Sequence, residues 1–314
     1  MYISDKNAIQ YTSRVVLLVV PFFSSLFLSW SWIIEILVIF ALFIHVGRWG
    51  LRLTINFLTI GYLASIIPLG IAGLTQIGYT PWAGILLLVL REKGLSLGRS
   101  VFWSLVLAVM LSALPTIPNT VQALQPDILQ QRIEENILFY EQTGTIEAFE
   151  KQGLSKTEFE EYLRLAMSAY YKLLPGLAGI LSMIEIGLGY LAFRFFQRKE
   201  QKEIPFALWR LPWYAVWLAI IGVAMYLGGD FFSYNTLTIV GMNTMLIIGG
   251  IAVILGLACA AYFFQHPKVP RVLMWIAIFS AVFFTPYVLL ILLFIGLFDL
   301  VFNFRRIPEK SEGA

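Results

Sequence analysis

The sequence predicts an all-α protein, a polytopic transmembrane helical bundle of about eight to ten membrane segments with an amphipathic helical insert outside the cytoplasm. Three observations lead to this fold class. Hydrophobic residues make up 59% of the 314 residues and charged residues only 13%, whereas a soluble domain has about 25% charged residues. Mean hydropathy is +0.79. Apolar runs such as Leu211–Gly229 and Leu237–Phe264 reach the roughly 20 residues that cross a bilayer.

Basic residues cluster in the short loops between these apolar runs. Loops on the cytoplasmic side of a membrane are enriched in Lys and Arg. Both chain termini are therefore expected in the cytoplasm. The clusters are Arg48 with Arg52; Arg91, Lys93 and Arg99; Arg194, Arg198, Lys199, Lys202 and Arg210; Lys268 with Arg271; and Arg305, Arg306 and Lys310.

Alternation between the two sides of the membrane sets the expected number of crossings. Val15–Gly47 is too long for one span and is expected to form two helices with a turn near Trp30–Trp32. Leu53–Leu90 and Val272–Phe302 each lie between cytoplasmic clusters, so each is expected to fold back, the second near Pro286. The single crossings are Leu97–Thr116, Leu174–Phe196, Leu211–Gly229 and Leu237–Phe264. The total is about ten segments, or about eight if short pairs are single tilted or re-entrant helices.

One long polar segment divides the chain into residues 1–117, an insert of residues 118–168 and residues 169–314, with one membrane domain overall. The insert is rich in acidic residues and is expected outside the cytoplasm. Leu129, Ile133 and Ile137 repeat at helical spacing, and Ser155 to Glu158 has the pattern of a capping box. The insert is either a cap packed on itself, an element that binds a partner or a lid over a solute cavity.

Three polar residues in apolar runs are candidates for binding a ligand. Glu185 is the strongest, because a charge at the centre of a membrane helix costs roughly 2.5–3.5 kcal/mol. Ser182, Glu185 and Gly189 share one helical face, which indicates a neighbouring helix or a cavity. Asn243 lies on a glycine-rich helix. The alternative for Glu185 and Asn243 is a hydrogen bond that only holds helices together.

Three further polar residues are expected to be structural. Glu35 lies close to Trp32, near the expected outer interface, and is expected to reach water. Asp299 precedes Arg305 by less than two helical turns, which favours an ion pair near the inner face.

Several function classes lack support in the sequence. It contains no HExxH, GxSxG or Walker A pattern, so no catalytic residue is assigned and the protein is not expected to be an enzyme. His45 and His266 are far apart and Cys259 is the only cysteine, so neither a metal site nor a cofactor is expected. Basic residues do not alternate with exposed aromatic residues, which argues against binding to nucleic acid.

Between Leu173 and Ile307 the chain resembles the YybS-like family of bacterial integral membrane proteins, whose function is not established. The segments that carry this resemblance are Leu173–Pro175, Glu203–Pro212, Asn243, Gly296–Asp299 and Asn303–Arg306. The family is grouped by fold with the substrate-binding S components of energy-coupling-factor transporters. The resemblance therefore implies a protein of the bacterial inner membrane. It also implies a small bundle that binds a micronutrient and works beside a transmembrane coupling protein and ATPases. It supplies no catalytic residues.

Two functions remain open at the level of sequence. The first is a solute-binding or transport-related protein of S-component type, surrounded by membrane lipid and without an ATPase of its own. The second is a structural or assembly partner in the membrane that binds no small molecule. The sequence does not fix the oligomeric state or the solute.

Overall fold

The chain folds as a bundle of helices, seen in a computed structural model that describes residues 11–21, 31–70, 78–196, 204–267 and 269–307. Those residues contain α-helices, short 3₁₀ turns and no strand, so the predicted all-α class is confirmed. The helices are α1 Tyr11–Pro21, α2 Ser31–Trp49, α3 Leu51–Ala64, α4 Ile66–Leu69, α5 Thr80–Glu92, α6 Leu97–Ala113, α7 Ile117–Ala123, α8 Pro126–Gln142, α9 Thr145–Glu150, α10 Lys156–Phe196, α11 Val216–Phe231, α12 Asn235–Phe264, α13 Arg271–Phe283 and α14 Thr285–Phe302.

Six helical stretches in the described part of the chain are long and apolar enough to cross a membrane. They contain α2, α6 with its extension, α10, α11, α12 and α14. Helices α1, α3 and α13 are apolar but shorter, and α5 has only 13 residues. The polytopic bundle is thus built from full-length spans together with short helices, some of which are too short to cross about 30 Å of hydrocarbon alone.

The last apolar segment is interrupted just before Pro286, where the sequence predicts a break. Helix α13 ends at Phe283 and α14 begins at Thr285, with Phe284 between them and Pro286 in the first turn of α14. Proline is tolerated in a first turn because its missing N–H has no partner there in any case. The turn expected near Trp30–Trp32 is only partly described, since Trp30 lies outside the described residues and α2 begins at Ser31.

Helix α10 is the longest element, with 41 residues. It runs without interruption from the polar insert into the apolar segment, so the boundary between residues 168 and 169 falls inside it. A change from polar to apolar composition marks where a helix enters the membrane. It does not end the helix, because the backbone hydrogen bonds within the helix form equally well on both sides of that point.

The bundle has two hydrophobic cores that share α6 and α10. The first core contains Leu42, Leu58 and Ile186 and lies among α1, α2, α3, α5, α6 and α10. The second contains Met183 and Ile248 and lies among α6, α10, α11, α12 and α14. Small residues allow close approach in the second core: Gly256 of α12 lies against the backbone of α14 and Gly296 of α14 against the backbone of α12.

The insert has a small core of its own. Ile133, Ile137 and Ile146 are buried, and Phe159 and Leu163 from the beginning of α10 pack against them. Ser155 and Glu158 form the expected capping box: the Ser155 N–H donates to Glu158 Oε2 at 2.8 Å and the Glu158 N–H donates to Ser155 Oγ at 3.3 Å. The apolar faces of the insert therefore pack on each other.

Candidate functional site

Two glutamates from different spans meet inside the bundle. The carboxyl groups of Glu35 in α2 and Glu185 in α10 are in hydrogen-bond contact with each other. Their exposed fractions are 7% and 3%. The expectation that Glu35 reaches water is not met, because α10 and the start of α5 cover its carboxyl group.

Parallel packing of α2 and α10 brings the two carboxyl groups together. One helical turn beyond the pair, Ile39 of α2 packs directly on Gly189 of α10. The contacts therefore step by four residues in the same direction along both helices. A Cβ at Gly189 would lie 2.6 Å from Ile39 Cγ2, so glycine sets how closely the helices, and with them the glutamates, approach.

The start of α5 closes the site from a third side. The N–H and the side-chain hydroxyl of Thr80, the first residue of α5, are both in hydrogen-bond contact with the Glu35 carboxyl group. The hydroxyl is also in contact with Glu185. Just before the helix, Gly78 lies so close to the Glu35 carboxyl group that a Cβ there would overlap it. The Gly78 carbonyl accepts a hydrogen bond of 2.6 Å from the phenol of Tyr62.

Glu35, Glu185 and Thr80 lie at similar distances from the C-terminal ends of their helices, and each of these ends is near a basic residue. At about 1.5 Å of rise per residue, Glu35 is roughly 21 Å from the end of α2, Glu185 roughly 17 Å from the end of α10, and Thr80 roughly 18 Å from the end of α5. The hydrocarbon core of a bilayer is about 30 Å thick. If these ends lie at one membrane surface, the pair is near the middle of the bilayer.

The contact between the carboxyl groups has a direct chemical consequence. An ionised carboxylate can only accept hydrogen bonds, so a hydrogen bond between the two groups requires a proton on at least one of them. The titratable neighbour that faces both glutamates is the phenol of Tyr62, which lies beside Tyr79. Glu35 Oε2 is buried and has no hydrogen-bond partner in the described structure. The site can therefore hold a shared proton, and Glu35 Oε2 can accept one further hydrogen bond.

Ser182 lies one turn from Glu185 and is 1% exposed. Its hydroxyl donates to the carbonyl of Gly179 in the same helix at 2.8 Å. Ser182 thus shares the helical face of Glu185, as the sequence predicts, while its hydroxyl proton is engaged by the backbone. Its role in ligand binding stays a prediction.

Asn243 repairs the interruption that Pro175 makes in α10. Its side-chain oxygen accepts from the Gly176 N–H at 2.6 Å, and its amide nitrogen donates to the Lys172 carbonyl at 2.8 Å. These are the two backbone groups that an uninterrupted helix would pair with each other. The second amide hydrogen serves Ile239 of its own helix. The structure does not bring Asn243 to Glu185, and its binding of a ligand stays a prediction.

Asp299 and Arg305 form a buried ion pair at the end of α14, in agreement with the expected pairing. The distance from Arg305 Nη2 to Asp299 Oδ2 is 2.7 Å, and both side chains are at most 2% exposed. Arg305 also donates to the carbonyls of Ala207 and Trp209. The pair joins the segment after α14 to the loop before α11, which is a structural arrangement. The Cys259 thiol is buried and in hydrogen-bond contact with Asp299.

Two cavities lie away from the glutamate pair. An apolar cleft of about 150 Å³ lies between α6, α10, α11 and α12, with Phe102, Met183 and Ile248 among its lining residues. A polar cleft of about 300 Å³ lies on α7 and α8, beside Arg132. Neither is lined by Glu185 or Asn243. No group of three or more His, Cys, Asp or Glu side chains suited to a metal ion occurs in the described part of the chain.

The partnership of Glu35 and Glu185 is the feature that sequence reasoning missed. Both residues were visible as acids in apolar runs, and that shared property was the available signal. Nothing local links them, because the contact depends on which spans are neighbours. Thr80 gave no signal, since a threonine at a helix start is ordinary.

The chain belongs to the family described as Predicted membrane protein (DUF2232), whose model matches residues 15–300. No curated protein and no solved structure matches the chain. The family description supports a membrane protein with several apolar helices and names no activity.

Proposed function

We propose that this protein is a transport-related membrane protein that moves protons across the membrane through the Glu35–Glu185 pair. The single observation that carries the proposal is the contact of two buried carboxyl groups, from two different spans, at the beginning of a short third helix.

The arrangement supports transport because buried acids in membrane helices are costly. Ionisable side chains inside a bundle mark ion pathways and proton relays in membrane proteins. Many transporters also place the positive N-terminal end of a discontinuous helix near the bilayer middle, where it faces an anionic group. Helix α5 begins at Thr80 and faces the Glu35 carboxyl group in this way.

The proton is the ion that best fits this pair. One proton between two carboxyl groups leaves a net charge of −1, and its loss leaves −2 at a site that has only hydroxyl, phenol and N–H groups as described neighbours. Two like charges in contact repel strongly in a medium of low dielectric constant. Release of the proton therefore favours separation of α2 from α10, which couples protonation to movement.

Proton flux into proteoliposomes tests the proposal. Vesicles contain a pH-sensitive dye, and valinomycin with a potassium gradient makes the interior negative. The wild-type protein is expected to acidify the interior faster than protein-free vesicles do. The variants Glu35→Gln and Glu185→Gln are expected to fall to the protein-free rate, because each removes one titratable group.

The matched control is Glu161→Gln, a similar change at an exposed acid of the insert, which is expected to keep the wild-type rate. Wild-type protein that is no faster than empty vesicles would overturn the proposal. So would a Glu185→Gln variant that conducts as well as the wild type.

The resemblance to the YybS-like family, which is grouped by fold with S components, extends the proposal to partners. We propose that a transmembrane coupling protein and ATPases work with this chain, which is then a binding and transport component without catalytic activity of its own. Affinity purification in mild detergent, followed by mass spectrometry, is expected to recover such proteins. Consistent recovery of other membrane proteins alone would favour the assembly role instead.

A further inference from the structure

We propose that the start of α5 determines which carboxyl group holds the shared proton: Glu185 carries it, Glu35 is its charged acceptor, and Thr80 is the positioning residue that sets this order. The inference rests on the proposed function, in which the pair is the proton-binding site, and it assigns the two glutamates different roles in that site.

The backbone N–H of Thr80 holds Glu35 as an acceptor. It is in hydrogen-bond contact with Glu35, and an N–H can only donate. It belongs to the first turn of α5, where the N–H groups have no partner within the helix. A donor fixed by the backbone favours the ionised form of the carboxyl group that it contacts. Glu35 is therefore held as an acceptor.

The position of Glu185 is different. It lies in the interior of α10, where the backbone N–H groups are engaged within the helix. Its described hydrogen-bond contacts are the Glu35 carboxyl group and the Thr80 hydroxyl. Because the Thr80 N–H favours the ionised form of Glu35, and an ionised carboxylate can only accept, Glu185 is the favoured donor in the hydrogen bond between the two carboxyl groups. The proton is therefore assigned to Glu185.

The surrounding charges favour the same order. The N-terminal end of α5 carries a partial positive charge, which stabilises an anion at Glu35. From α3, the Tyr62 phenol faces the pair and donates its hydrogen bond to the Gly78 carbonyl. In the segment before α5, Tyr79 packs beside the ring of Tyr62. Both are neutral as phenols, so neither reverses the preference.

A membrane-soluble carbodiimide tests the assignment on the unaltered protein. The reagent reacts with a protonated carboxyl group: the carboxyl proton moves to a carbodiimide nitrogen, the carboxylate oxygen bonds to the central carbon, and rearrangement leaves a stable N-acylurea. Peptide mass spectrometry of wild-type protein in membranes is expected to find at least about tenfold more label on Glu185 than on Glu35, the ratio for a preference of 1.4 kcal/mol. Equal labelling, or more label on Glu35, would overturn the inference.

Two Thr80 variants separate positioning from packing. Thr80→Val keeps the N–H and is expected to keep the labelling preference. Thr80→Pro removes the N–H at the first position of α5 and strains Tyr79, whose ψ of 3° lies in the region that a following proline disfavours. In protein that still folds, it is expected to bring the Glu185 to Glu35 ratio close to one. A preference that survives Thr80→Pro in folded protein would show that Thr80 does not set the order.

Infrared spectroscopy gives an independent readout. The carbonyl band of a protonated carboxylic acid is expected to disappear in Glu185→Gln and to persist in Glu35→Gln; the reverse result would overturn the inference. Because labelling and spectra need no flux, this test can succeed where the vesicle assay fails, which would leave the proton assignment standing and reject transport. Flux together with reversed labelling would reject the assignment alone.

Discussion

At the scale of single residues, burial and contact decide what each polar side chain does. Glu35, Glu185 and Asn243 all appear in the sequence as polar residues in apolar runs, yet they end in two different situations. The glutamates contact each other. The Asn243 side chain instead bonds to the two backbone groups of α10 that Pro175 leaves unpaired. The sequence predicts that such residues have partners, because an unpaired polar group in lipid is costly. It does not predict the partner, because the contacting residues are far apart along the chain.

Gly78 offers a sharp test at this scale. A Cβ at residue 78 would overlap the Glu35 carboxyl group, whereas a Cβ at Gly187 of α10 would meet no atom within 4 Å. Gly78→Ala is therefore expected to destabilise the protein by about 1–3 kcal/mol, the usual cost of overpacking, and to reduce proton flux. Thermal unfolding in detergent and the vesicle assay measure the two effects.

The control for that change is Gly187→Ala, the same substitution in open space. It is expected to leave both the unfolding temperature and the flux close to the wild type. Equal effects of the two substitutions would mean that Gly78 is not packed against the carboxyl group.

At the scale of elements, helix α10 has some features that the sequence predicts and one that it does not. The capping box and the apolar periodicity predict its beginning and its face. They do not predict that one helix joins the insert to the span, because Pro175 normally signals an interruption. Continuity depends on the Asn243 side chain of α12, which bonds to the two backbone groups beside the proline.

Asn243 and Pro175 are therefore expected to be coupled. Asn243→Leu leaves the Lys172 carbonyl and the Gly176 N–H without their partner, at a cost of about 1–3 kcal/mol for each unsatisfied group. In a Pro175→Ala background the helix can pair these groups itself, so Asn243→Leu should cost less. A double-mutant cycle of unfolding free energies measures the difference. Equal costs in the two backgrounds would contradict the repair role.

The insert provides a test that depends on pH. Hydrogen bonds from the Ser155 hydroxyl and N–H lower the pKa of Glu158 below its ordinary value of 4.5. A lowered pKa in the folded state contributes stability above the unfolded value, and this contribution is lost as the pH falls through the folded value. The stability difference between the wild type and Glu158→Ala is therefore expected to be constant near neutral pH and to shrink below about pH 4.5.

Thermal unfolding of both proteins over this pH range measures that difference. Glu161→Ala, at an exposed acid of the same helix, serves as the control. A difference that grows as the medium becomes acidic would contradict the capping role of Glu158.

At the scale of the whole molecule, the fold class follows from hydropathy and the pairing of helices does not. Apolar length and regular basic clusters predict a polytopic bundle, which the family description and the six membrane-length helices support. Which helices are neighbours depends on small residues such as Gly189 and Gly256, whose contacts appear only when the spans are packed. The glutamate pair belongs to this second kind of information.

Cross-linking of cysteines at the two glutamate positions shows whether Glu35 and Glu185 meet inside the bundle. In a Cys259→Ala background, the double variant Glu35→Cys with Glu185→Cys is treated in membranes with a lipophilic oxidant or a short bis-thiol reagent. Its control pairs Glu35→Cys with Ile184→Cys, because Ile184 is 46% exposed and lies on another face of α10. Efficient cross-linking is expected in the first variant and little in the second. Equal yields, or a higher yield in the control, would contradict it.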